Sequence, residues 1–235
     1  MIRKIGAAAL LGLLAAGALA TNAGAQCGTG PMIVLNTATF GYETIPVTAP
    51  YFSTAGSNLT MVGLVQLFCN PFAGINAQDP TTQYTIVVTG LTSAGTLHPL
   101  SNLWTTAYSG GTFAIYQYSP RVAPSSAATA PAAGSALPFY QIGTPILTGT
   151  LSGYNITAQS TGNGSYAASA TFTGGTLFSL LGGADGPVTF QGALCALSTC
   201  TPPAGGYSAQ FDGKFDTPVT PTLNSTWGRV KILYR

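Results

Sequence analysis

Short runs in which apolar and polar residues alternate recur along most of the chain. Between Gln83 and Val88, Tyr84, Ile86 and Val88 share one parity; between Ser165 and Thr173, Tyr166, Ala168, Ala170 and Phe172 alternate with Ala167, Ser169, Thr171 and Thr173. A repeat of two sends successive side chains to opposite faces, so each run predicts a half-buried β-strand. Further runs lie at Met32–Phe40, Leu59–Phe68, Thr112–Tyr118, Ile146–Leu151, Tyr154–Gln159, Pro187–Gln191 and Tyr207–Phe211. Only Leu177–Leu181 reads as a helical turn. Between the runs stand Gly153, Gly162-Asn163-Gly164, Gly174-Gly175, Gly182-Gly183, Asp185-Gly186-Pro187 and Asp212-Gly213, residues suited to the positive φ of tight turns. Many short strands with frequent turns predict an all-β fold, an antiparallel β-sandwich of immunoglobulin-like or jelly-roll-like form.

One stretch breaks the pattern. Ser119 to Pro138 holds four prolines among small residues and does not alternate, and structureless stretches of such length are uncommon inside a compact domain. It predicts a linker or a long loop at 119–138, between an N-terminal β lobe at 26–118 and a C-terminal β lobe at 139–235; one large sandwich with a long loop is the competing arrangement. Ahead of these, Arg3 and Lys4 precede an uncharged run from Ile5 to Ala20, and Ala23-Gly24-Ala25 closes it. That order is a secretory signal peptide over residues 1–25. No later run reaches the ~20 apolar residues of a membrane helix, so no membrane span is expected after cleavage. The expected destination is the periplasm, the cell surface or the medium.

Charge changes the picture more than any motif. Of 235 residues 5% are charged, against 46% hydrophobic, and the mean hydropathy is +0.34. So little Lys and Arg excludes a nucleic-acid partner, whose phosphates need many cations. So much apolar surface, with 11 Tyr and 11 Phe, excludes a disordered chain. Removing Arg3 and Lys4 leaves five basic residues against five acidic ones, a near-neutral product that favours attachment or assembly. Four cysteines in an exported chain read as disulfides; three pairings exist, and proximity favours Cys27–Cys69 with Cys195–Cys200. No Cys-x-x-Cys spacing is present, so no metal or other cofactor is expected.

Catalytic equipment is sparse. His98 is the only histidine, it precedes Pro99 in a loop-like stretch, and no G-x-S-x-G elbow occurs. Asp212 and Asp216 are the nearest carboxylate pair, yet on a continuous strand they stand about 13 Å apart at ~3.3 Å per residue, wider than a glycosidase uses. A turn at Asp212-Gly213 would bring them closer, with Asp212 then acting as a turn residue. No catalytic residue is assigned. Among the aromatics, Trp104 and Tyr108 are the candidates for stacking on a sugar, against the ordinary core role of strand aromatics. The final stretch presents Trp227, Val230, Ile232 and Tyr234 opposite Arg229, Lys231 and Arg235. It could complete its own sheet or join that of a second copy or another surface protein.

Cys27, Thr39-Phe40-Gly41-Tyr42, Cys69, Tyr84-Thr85-Ile86-Val87-Val88 and Ile115-Tyr116-Gln117-Tyr118 come in an order that resembles the spore coat protein U and chaperone–usher pilin-like secreted subunits. The likeness spans residues 27 to about 118, and the arginine those proteins place between the last two strands is missing. It implies an incomplete immunoglobulin-like sandwich that assembles by strand donation. The function expected first is therefore an exported, non-enzymatic bacterial surface or extracellular-matrix protein, structural or adhesive. A secreted carbohydrate-binding module taking polysaccharide is the alternative, and a hydrolase using Asp212 and Asp216 ranks third.

Overall fold

The computed structural model describes residue 27 and residues 30–123, 129–182, 186–196 and 205–217. Eight strands follow in chain order: β1 (Pro31–Glu43), β2 (Asn58–Phe68), β3 (Gln83–Leu100), β4 (Leu103–Tyr118), β5 (Thr144–Gln159), β6 (Asn163–Gly174), β7 (Val188–Ala196) and β8 (Ala209–Asp216). Each pairs antiparallel with the next and β8 pairs back onto β1, so the sheet closes into an up-and-down barrel. The immunoglobulin-like or jelly-roll-like sandwich is thereby corrected, and with it the incomplete sandwich that the resemblance implies.

The physical reason lies in strand length. The alternating runs at Ile146–Leu151 and Tyr154–Gln159 are one strand, β5, which bends at Gly153 (φ +63°) where its register against β6 shifts between Ser152 and Asn155. Asp212-Gly213 likewise lies inside β8, not at a turn. A glycine kink lets one long strand curve around the circumference where a sandwich would break it and cross to a second sheet. Nor do the strands form two separate lobes: β4 pairs with β5 from Leu103↔Gln159 to Gln117↔Thr144, across the 119–138 stretch. The helical reading of Leu177–Leu181 corresponds to a 3-10 turn at Phe178–Leu181.

Inward positions fill the barrel with aromatic rings. Tyr108, Tyr154, Tyr166, Phe190, Phe215, Phe113 and Phe172 touch in succession, with centroids 4.5 to 5.6 Å apart. Eight strands enclose a space that side chains alone can fill, and each Phe buried there contributes about 1.5–3 kcal/mol over an exposed one. A smaller apolar layer lies outside. Phe40, Val62 and Val87, on the outer faces of β1 to β3, are covered by Ala133, Ala136 and Tyr140 and by Tyr207. Thr85 Oγ1 donates to Tyr140 O (2.6 Å), and Gln83 Oε1 accepts from the amides of Val122 and Ala123 (both 2.7 Å). The described part of the Pro-rich stretch is thus packed against the wall.

Cys27 and Cys69 form a disulfide with Cα atoms 5.5 Å apart. Cys195, on β7, is also disulfide-bonded, while Cys200 lies outside the described residues. So do the signal-peptide stretch at 1–25 and the terminal residues Trp227, Val230, Ile232 and Tyr234. Among the described residues no helix is long and apolar enough to cross a membrane. A disulfide together with that observation is compatible with a periplasmic or extracellular protein.

Candidate functional site

The two aromatics singled out from sequence land in different places. Tyr108 points into the barrel and is 4% exposed. Trp104, half-buried on β4, stacks against the exposed His98 of β3, with centroids 4.4 Å apart and planes 11° from parallel. One face of the indole is therefore taken by the imidazole. Asp212 and Asp216 share the outer face of β8 and are held by different partners: Asp212 Oδ1 accepts the Ala193 amide (2.8 Å), and Asp216 Oδ2 pairs with Lys214 Nζ (3.1 Å) and accepts from Gln191 Nε2 (2.8 Å). Continuous β8 keeps the two carboxylates at strand spacing. Among the described residues no three His, Cys, Asp or Glu side chains converge on one point.

What Tyr108 meets inside is a carboxylate. Glu43, last residue of β1 and 5% exposed, accepts from Tyr108 Oη (2.6 Å) and Tyr51 Oη (3.3 Å) on one oxygen and from Ser53 Oγ (2.6 Å) on the other. Ser53 Oγ also lies 2.7 Å from Ser93 Oγ. Tyr51 and Ser53 belong to the β1–β2 loop, which this cluster pins across one end of the barrel. Burial pushes the phenols of Tyr51 and Tyr108 well above their ordinary range, and the Glu43 carboxylate pushes them further.

A second arrangement distorts the wall and leaves a depression on its outer side. β1 carries two more residues than either neighbour between Leu35 and the resumption of pairing at Thr39–Phe40, so Asn36-Thr37-Ala38 bulges out while the inward parity survives. Asn36 Oδ1 accepts the Ala38 amide (2.8 Å) and Thr39 Oγ1 donates to Asn36 O (2.8 Å) within the bulge, and Gln210 Nε2 of β8 donates to Thr37 O (2.6 Å) and ties it to the neighbouring strand. Beside it, Gly192 of β7 and Gly213 of β8 carry no side chain at inward positions. The result is a cavity of about 550 Å³ reaching from Thr37 and Gln66 to Ser165, Gln191, Asp212 and Lys214, with Tyr166 in its lining. A second depression of about 360 Å³ shares Thr37 and Asp212 with it.

Tyr166, paired with Gly192 of β7, lies along the inner wall from β6 toward β8, its ring packed between Tyr154, Phe190 and Phe211. Its hydroxyl ends beneath Gly213, where a Cβ would fall onto it, and this buried oxygen has no hydrogen-bond partner. Burial holds the phenol well above its ordinary value, and the nearby Asp212 carboxylate adds to that. A buried polar atom without a partner costs about 1–3 kcal/mol and calls for a reason. Bulges concentrate beside binding sites because they re-aim side chains and end pairing.

Sequence reasoning missed both arrangements, although one signal was present. β2 to β7 contain no Asp, Glu, Lys or Arg, so among the described residues the charges on strands are Glu43 and the trio Asp212, Lys214 and Asp216. On the described strands, charge is placed at the barrel end and beside the β1 bulge. Compared with models of protein families, with curated proteins and with solved structures, the chain matches none. The functional reading rests on this geometry alone.

Proposed function

We propose that the chain is an exported, non-enzymatic β-barrel of a bacterial surface or extracellular matrix, structural or adhesive, working through its outer wall. The observation that supports this best is where its polarity lies. The interior is filled by aromatic rings, while the outward face of β2 to β7 is uncharged and rich in hydroxyls. Thr89, Thr112, Thr150 and Thr171 stand side by side across four successive strands. Ser152, Ser169 and Thr189 form a second rank, and Thr105, Thr157 and Ser165 a third. Strands lie ~4.8 Å apart, so each rank is a row of hydroxyls able to donate and accept together. Apolar inside and polar outside is the reverse of a lipid-facing barrel, which favours a barrel surrounded by water.

Face contact replaces strand pairing in this reading, because the closed sheet of eight strands offers no edge to a partner. The test is to express the full chain in a secreting host, fractionate the culture and sediment the mature protein. It is expected in the cell-surface or matrix fraction or in assemblies. A strictly monomeric product free in the medium, or one retained in the cytoplasm, overturns the reading.

A further inference from the structure

We propose that the barrel end bearing the β1–β2 loop and the β3–β4 hairpin seats in the interface of a neutral lipid bilayer, with Leu97 and Leu100 inserted and the hydroxyl-rich outer wall left in water. The proposal rests on the reading of the chain as an exported surface barrel and names the surface to which it attaches.

Two independent observations carry it, and the first is where charge is missing. β1, β3, β5 and β7 all run toward this end, so the connections 44–57, 101–102, 160–162 and 197–208 belong to it. None of these four contains Asp, Glu, Lys or Arg, whereas each of the three connections at the opposite end carries one: Asp79 in 69–82, Arg121 in 119–143 and Asp185 in 175–187. Glu43, which ends β1 here, is buried and bonded by three hydroxyls. Taking a charge out of water is costly, so this end can leave water where the opposite end cannot.

The second is what stands there. From Thr92, its last pairing with β2, β3 continues to Leu100, and the hairpin presents Leu97 and Leu100, 70% and 60% exposed, more than any other large apolar side chain described. Phe52 is exposed beside them: the adjacent Ser53 accepts the Thr96 amide on its carbonyl (3.0 Å) and donates its own amide to Thr96 Oγ1 (2.7 Å). The His98–Trp104 stack ties the two strands together just behind the turn, and an indole is the ring favoured at headgroup depth. Lipid is the occupant that fits. A stable protein partner needs about 800 Å² of matched surface from each side, whereas these apolar side chains project singly, set apart by Ser53, His98 and Pro99, and a fluid interface accepts them so. The lack of cations points to zwitterionic headgroups, since anionic ones are bound by Lys and Arg clusters. Two leucines and a phenylalanine carry about as much apolar matter as one myristoyl chain, so attachment should be reversible, with a partition constant on the order of 10⁴ M⁻¹.

The test is co-sedimentation of the mature protein with sucrose-loaded phosphatidylcholine vesicles at low and high salt, with phosphatidylglycerol vesicles as the anionic comparison. Salt-independent binding to phosphatidylcholine is expected. Leu97→Ser/Leu100→Ser, at exposed positions outside the core, should melt like the wild type and partition at least about tenfold more weakly. Leu180→Ser, an exposed leucine at the opposite end, should leave partition unchanged. No binding to phosphatidylcholine, binding to phosphatidylglycerol alone that high salt abolishes, or wild-type partition in the double variant overturns the proposal. So does a dimer, read by analytical ultracentrifugation, that ignores vesicles and dissociates in the double variant, since a second copy is then the occupant. If vesicles are not bound but the mature protein still reaches the surface or matrix fraction, the membrane seat falls and the surface role stands. Vesicle binding by a protein otherwise found free and monomeric in the medium gives the reverse, and failure of both measurements removes both.

Discussion

At Glu43 three hydroxyls converge on one carboxylate, with no cation among its described partners. Removing the carboxylate takes the acceptor from all three donors in a buried setting and leaves Ser53 Oγ a second partner, Ser93 Oγ, so Glu43→Ala is expected to lower stability by about 2–4 kcal/mol. Tyr108→Phe, which removes one donor and keeps the ring against Tyr154, should cost about 1 kcal/mol. Urea unfolding followed by tyrosine fluorescence measures both, and equal losses in the two variants would show that the carboxylate does not organise the cluster. From the sequence, Glu43 is one acidic residue at the end of an alternating run, and nothing local distinguishes it from a solvated strand terminus. Its partners come from a loop and from β4, 65 residues away for Tyr108, and long-range pairing alone brings them together. Tyr108 is the converse. It was open to a surface role by type, and the parity of β4 places it inside.

For the elements, legibility follows locality. Each alternating run corresponds to part of a strand wherever the chain is described, because one face of each strand meets the core and the repeat of two records that directly. Gly153 and Gly213 mislead for a physical reason: glycine serves equally as a turn residue or as a point where a strand bends or is approached closely, and the choice is made by the strand next door. At Gly213 the neighbour is Tyr166 Oη with Gln191 O behind it, so Gly213→Val is expected to destabilise the barrel by about 2–3 kcal/mol through overpacking. Thermal unfolding of the variant checks this, and an unchanged Tm would mean that the packing beneath Gly213 has slack. The disulfide acts on the same scale. Cys27–Cys69 closes a span of 42 residues, for which the chain-entropy estimate is about 4 kcal/mol, so the Cys27→Ser/Cys69→Ser pair should lose stability up to that amount. A loss below about 1 kcal/mol would indicate that the unfolded chain is already compact around this loop.

For the whole molecule, one consequence follows from the burial of tyrosines inside the barrel and in the outer apolar layer, and a second from closure of the sheet. The first concerns pH. Burial raises the phenols of Tyr51, Tyr108, Tyr154, Tyr166 and Tyr207 and pushes Tyr140 up to about 12, from an ordinary value of 10.0. The folded state therefore holds these protons more tightly than the unfolded chain. Stability from this source is complete below pH 10 and is lost as pH rises through 12 and beyond, so alkaline unfolding should be steep and accompanied by tyrosinate absorbance. Free titration of most tyrosines near pH 10, with the fold intact, would contradict the burial. The second concerns the 119–138 stretch, where composition suggests a boundary and the register denies one. β4 has β5 as its outer neighbour and β1 has β8, so a cut there exposes two sheet edges and opens the ring column between Phe113 and Phe172. Composition cannot reveal this, since a Pro/Ala/Ser-rich stretch looks the same whether it joins two domains or lies against one wall, as Ala133, Ala136 and Tyr140 do. Residues 26–118 and 139–235, expressed separately, are each expected to lack dispersed amide resonances and slowly exchanging amides, whereas the intact chain melts in one calorimetric transition. Two independent transitions, or a folded isolated half, would restore the two-lobe arrangement. Reassembly on mixing the halves would show that the chain break is tolerated while closure of the barrel is not dispensable.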